Sequence, residues 1–148
     1  MNCYRYLLVL TSTILFSLPS YAHHLAVVVP KDNRTTVLST ADLAKIMKSE
    51  TRKWPDGATV SVILTRNSGA SLQVVERLCH LSEQATKALI AAHRELFILA
   101  DSDEAALKIV ASTHGALGIV DVHAISGNQV HVVKVDGKLP MELGYLPH

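Results

Sequence analysis

The segment Thr65-Arg66-Asn67-Ser68-Gly69-Ala70-Ser71 gathers the residue types that hold an oxyanion. Arg66 offers a planar, permanently charged fork of N–H donors that fits a phosphate or a carboxylate. Ser68 and Ser71 add hydroxyl donors. Gly69 permits close approach of backbone to a ligand. The segment follows an apolar run at 60–64 and precedes Leu72, Val75, Leu78 and Cys79, which recur at helical spacing. It therefore opens a helix, where the first backbone N–H groups have no intrahelical partner and the dipole favours negative charge. The same residues also suit an ordinary capped helix start. The Lys-Ser/Thr ending and longer glycine spacing of a nucleotide-triphosphate loop are absent.

Other reactive residues are scattered. The histidines are His23, His24, His80, His93, His114, His123, His131 and His148, and no two stand four apart as in a helical metal site. His114 precedes Gly115 at an expected strand entrance, where ligand-facing loops of α/β sheets gather, although a surface-loop histidine fits there equally. Asp56, Asp101 and Asp103 occupy turn or cap positions, and Asp121 follows a strand. No nucleophile, base and orienting acid assemble from these residues, so neither catalysis nor a cofactor is expected. Cys79 sits among apolar residues and reads as a buried, inert thiol.

Residues 1–22 read as an export signal. Arg5 charges the short n-region, residues 7–18 are apolar apart from hydroxyls, and Pro19-Ser20-Tyr21-Ala22 forms a polar exit with small residues at the cleavage-reading positions. That run of 12 residues falls short of the roughly 20 that a bilayer requires. Cleavage after Ala22 leaves His23 as the N-terminus of one domain, 23–148, in the periplasm. Arg5 departs with the signal, so the 14 Lys and Arg fall to 13, balancing the 13 Asp and Glu. A neutral domain has no global field to draw nucleic acid, and its few aromatics supply no stacking platform for single strands. Any anion site must be local. Cys3 also leaves with the signal, so a single cysteine remains and no internal disulfide forms.

The elements that position the anion loop follow from periodicity. Residues 25–29 read as a strand buried on both faces, ended by Pro30. Ser39 or Thr40 caps a helix from Ala41 with Leu43, Ile46 and Met47 on its apolar face, and Trp54 plugs the Pro55-Asp56-Gly57 turn onto the core. Strand 60–64 leads into the loop and its helix. Ser82 caps a further helix with Ala85, Leu89, Ala92 and Leu96 as its stripe. Asp101 or Ser102 caps another, with Leu107 and Val110 as core positions. Strands 119–122 and 130–135 complete the order, with an irregular tail to His148. The expectation is one α/β domain with a mixed or mostly parallel sheet flanked by helices.

Four blocks, in order, carry a resemblance: Leu38-Ser39 to Ile46-Met47; Trp54-Pro55-Asp56-Gly57; Thr65-Arg66-Asn67-Ser68-Gly69; and Ser112-Thr113-His114-Gly115-Ala116-Leu117-Gly118-Ile119-Val120-Asp121. Together they resemble the phosphate-binding proteins that serve bacterial ABC importers, within the periplasmic-binding-protein fold. The resemblance implies a single, truncated lobe of that fold that binds inorganic phosphate or a similar oxyanion without catalysis. It implies Thr65, Arg66, Asn67, Ser68, Gly69, Ala70, Ser71 and His114 as ligand-binding positions. An ABC transporter or a membrane sensor is the implied protein partner. Ala70, Asn67 and His114 depart from the family's usual threonine or arginine, glycine and proline, and a one-lobe site is more open to water. Two alternatives accompany this reading: a ligand-free protein-interaction domain of the same fold, and metal binding through His23 and His24.

Overall fold

The computed structural model describes residues 24–66 and 69–147. The export signal expected at residues 1–22, and His23, Asn67, Ser68 and His148, lie outside the described residues. The chain orders as β1 (Leu25–Pro30), β2 (Val37–Leu38), α1 (Thr40–Met47), β3 (Ser61–Thr65), α2 (Ala70–Cys79), α3 (Glu83–Ala92), β4 (Phe97–Ala100), α4 (Asp103–Ser112), β5 (Ala116–Asp121), a 3-10 turn (Val122–Ala124), β6 (Val130–Val132) and β7 (Lys134–Val135). Five strands form one sheet in the order β4-β3-β5-β1-β6, and β2 pairs with β7 in a small second sheet.

The main sheet is mixed. β3 runs parallel to β4 and β5, whereas β1 runs antiparallel to β5 and β6. The parallel pairs follow from the crossovers, since α2 and α3 join β3 to β4 and α4 joins β4 to β5. Helices cover both faces. Val27, Val29, Val62, Leu64, Leu117 and Ile119 pack with α1, α2 and α3, while Ala26, Val28, Ile63 and Val120 pack with Ala106 and Val110 of α4. β1 thus alternates between two apolar layers, which is why it reads as a continuous apolar run.

The structure revises four local expectations. The main omission is β4. Leu96 continues the three- and four-residue spacing of Ala85, Leu89 and Ala92, but α3 ends at Ala92 with His93 as its C-cap, and Phe97–Ala100 pairs with β3 in parallel. The buried face of α3 is accordingly Thr86 and Ile90, whereas Ala92 is exposed. β5 begins at Ala116 and runs through Gly118, whose position is glycine for space: a Cβ there would meet Val110 Cγ2 at 2.7 Å and Val28 Cγ2 at 3.1 Å. The strand expected at 130–135 divides at Val133 into β6 and β7, which belong to different sheets.

The C-terminal segment is part of the core. The Tyr145 hydroxyl accepts from Val27 N–H at 3.0 Å and donates to Val133 C=O at 2.6 Å, while Leu146 is buried beside it. Ser39 caps α1 in a reciprocal capping box with Asp42, and Ser82 and Ser102 cap α3 and α4.

Candidate functional site

α2 starts differently from its neighbours. Its N-cap is Gly69 in the left-handed region (φ +63°), and among the described residues no side chain caps it. A Cβ on Gly69 would find nothing within 4 Å, so the backbone there faces open space. The loop leaves β3 at Thr65, whose buried backbone is tied to the loop's far end. Ser71 Oγ accepts from Thr65 N–H at 3.2 Å and donates to Thr65 C=O at 3.1 Å. These bonds close the turn and fix the direction in which α2 begins. Ser71 therefore acts inward, as a buried brace. Ala70 is buried beside it.

Arg66 is exposed at the end of β3, with its backbone N–H donating to Ala100 C=O at 2.8 Å. Its Nε stands 3.9 Å from an Asp101 carboxylate oxygen, both side chains being largely in solvent. Such a surface pair adds little stability but leaves a cation and a proton acceptor beside the open start of α2. This arrangement can hydrogen-bond an oxyanion and take an O–H from one that is protonated.

His114 does not join this loop. It precedes β5, whose Ala116 lies opposite Ser61, so His114 sits at the start of β3 and Arg66 at its end. The strand between them is roughly 13 Å long at about 3.3 Å per residue. His114 Nδ1 bonds Asp32 Oδ2 at 2.5 Å, and its Nε2 lies 3.5 Å from Asp56 Oδ2. Asp32 and Asp56 also line an open cleft of about 480 Å³ formed by residues 32–35 and 54–56. Trp54 anchors this end, donating its indole N–H to Gly115 C=O at 2.8 Å. Sequence spacing gives no sign of this cluster, because Asp32 and His114 stand 82 positions apart.

The hydrogen bond and charge of Asp32, helped by Asp56, raise the His114 pKa above 6.5. A raised folded pKa stabilises the fold most below the unfolded value, and that contribution is lost as pH rises through the folded value. The stability difference between wild type and His114→Gln is therefore expected to be larger at pH 5.5 than at pH 8.5. Thermal denaturation at the two pH values measures it. An equal difference at both would show that the ion pair contributes nothing.

No protein-family model matches the chain, and no curated protein matches it. Solved structures do. The chain is similar to an ABC-type phosphate transport receptor from Vibrio cholerae (19% identity, TM-score 0.63, covering 80% of this chain and 48% of that one). It is similar to PstS from Borrelia burgdorferi (17%, TM-score 0.63, 80% and 49%). It is also similar to a phosphate binding protein from Stenotrophomonas maltophilia (18%, TM-score 0.62, 80% and 40%). The chain spans about half or less of the length of each of these structures. The likeness establishes the fold: a periplasmic-binding-protein-like lobe, with a mixed sheet flanked by helices.

Proposed function

We propose that the chain is a periplasmic, non-catalytic binding protein for inorganic phosphate or a similar oxyanion, held at the start of α2. The observation that carries this reading is the left-handed, side-chain-free N-cap at Gly69, close after the exposed Arg66. Backbone N–H groups of the first turn would donate to the anion, Arg66 would supply charge, and Ser68 a hydroxyl. Thr65 and Ser71 support the loop from beneath. The fold shared with phosphate receptors is the second support. The export signal at 1–22 and a mature domain of 23–148 belong to the same proposal, as does service to an ABC importer or a membrane sensor.

Asp101 gives the site a preference. At neutral pH phosphate is partly HPO₄²⁻, whose O–H a carboxylate accepts, whereas sulfate has no proton to donate and meets only repulsion. Calorimetric titration of the secreted protein is expected to show one saturable phosphate site, weaker heat with sulfate, and at least about a tenfold loss of phosphate affinity in Arg66→Ala, the scale of one charged hydrogen bond. Unchanged phosphate affinity in that variant would remove Arg66 from the site. No heat up to millimolar phosphate would end the proposal.

One observation favours the alternative of a protein-interaction domain. Val37, Leu139, Met141 and Leu143 are exposed apolar side chains on β2 and the C-terminal segment, with Leu143 91% exposed.

A further inference from the structure

A second cluster lies where β1 begins and β5 ends. The antiparallel register sets Leu25 opposite Asp121, and the Val122 N–H donates to His24 C=O at 2.8 Å. This pairing carries His24 and His123, 99 positions apart in the sequence, to the same spot. Their rings are near-parallel, 10° between planes, with centroids 6.3 Å apart. Asp121 holds His123 twice. One carboxylate oxygen accepts the His123 backbone N–H at 2.8 Å and lies 3.5 Å from Nδ1.

We propose that His24 and His123 form an open, two-imidazole site for a borderline divalent cation of the Zn²⁺, Ni²⁺ or Cu²⁺ class, with Asp121 as the positioning residue for His123. A carboxylate beside Nδ1 favours Nε2 as the nitrogen that binds the metal. An imidazole lone pair lies in its ring plane, so one of these near-parallel rings turns to share the cation, each nitrogen bonding at about 2.0–2.1 Å, and the His123 side chain is exposed enough to do so. Imidazole donors select this class over Mg²⁺ and Ca²⁺, which require oxygen. Among the described residues no group of three His, Cys, Asp or Glu is placed to hold a metal. The site is therefore a two-ligand one with water in its remaining positions, suited to reversible binding. It differs from a pairing of His23 with His24, because its second imidazole comes from the far end of β5.

The test is a Zn²⁺ titration of the untagged secreted protein, its N-terminus verified by mass spectrometry, alongside His123→Ala, His23→Ala and His131→Ala. One equivalent of Zn²⁺ is expected to bind at micromolar concentration in wild type. Affinity should fall at least about tenfold in His123→Ala, the loss that removing even a supporting partner causes. It should be unchanged in His131→Ala and His23→Ala. Proton NMR of the wild type gives a readout that does not depend on the variants: the ring signals of His24 and His123 should move together with the first equivalent. Binding unchanged in His123→Ala, binding lost with His23→Ala alone, a shift of only one of the two rings, or no saturation up to millimolar Zn²⁺ would each overturn the proposal.

Discussion

Gly115→Ala is expected to destabilise the protein by about 3 kcal/mol or more, combining left-handed backbone strain with overpacking. Gly115 has φ +82°, and a Cβ there would lie 2.2 Å from the Thr59 carbonyl oxygen and 3.1 Å from its carbon. The obstacle is backbone, so no side-chain rotation relieves it. Movement of Gly115 would also disturb its carbonyl, which accepts both the Trp54 indole N–H at 2.8 Å and the Ser61 N–H at 3.1 Å. Gly57 provides the control. It has φ +87° but nothing within 4 Å of where a Cβ would stand, so Gly57→Ala should cost about 1–2 kcal/mol, the strain alone. Urea denaturation of the two variants separates the effects. Equal losses would show that the Thr59 contact relaxes without cost.

Tyr145→Phe is expected to cost about 2–4 kcal/mol, because it leaves a donor and an acceptor without partners in the core. The donor is Val27 N–H and the acceptor Val133 C=O, at the point where the chain leaves β6 for β7. Burial pushes the phenol up to about 12, against the favourable hydrogen bond from Val27. A raised pKa means the neutral phenol stabilises the fold fully below pH 10 and loses that contribution as pH rises through about 12. The other tyrosines, Tyr4, Tyr6 and Tyr21, all precede residue 23, so in protein cleaved after Ala22 Tyr145 alone reports in an ultraviolet titration. Its ionisation should come near pH 12 in the folded protein and near 10 in urea. A folded value near 10 would mean that the C-terminal segment is not docked.

Much of this fold was legible as pattern. The double-sided burial of β1, the Ser39 cap, the plug at Trp54 and the loop between β3 and α2 all follow from local residue types. The four residues of β4 did not, because Leu96 extended a helical spacing and no glycine or proline marks the boundary. Gly118 fell outside the strand expected at 119–122 because the reason for its glycine is the close approach of α4, a tertiary contact. Tyr145 read as tail because its partners lie in β1 and beside β6.

The candidate site divides in the same way. Arg66 and Gly69 were recognisable from their types and position in the chain. The inward role of Ser71 depends on the path of the loop around Thr65, which spacing does not reveal. His114 appeared near the loop because loops before and after strands look alike in sequence. Parallel pairing of β3 with β5 is what sends it to the other end of the sheet. The pairing of His24 with His123 likewise depends on the antiparallel register of β1 and β5.

Whether an oxyanion binds at the start of α2 is tested most directly by backbone amide NMR during titration of ¹⁵N-labelled protein of residues 23–148 with phosphate, which reports position as well as affinity. Saturable shifts concentrated at Arg66, Gly69, Ala70 and Ser71, with residues 32–35 and 54–56 unmoved, are the predicted result. Shifts confined to the cleft beside His114, or none up to millimolar phosphate, would contradict it.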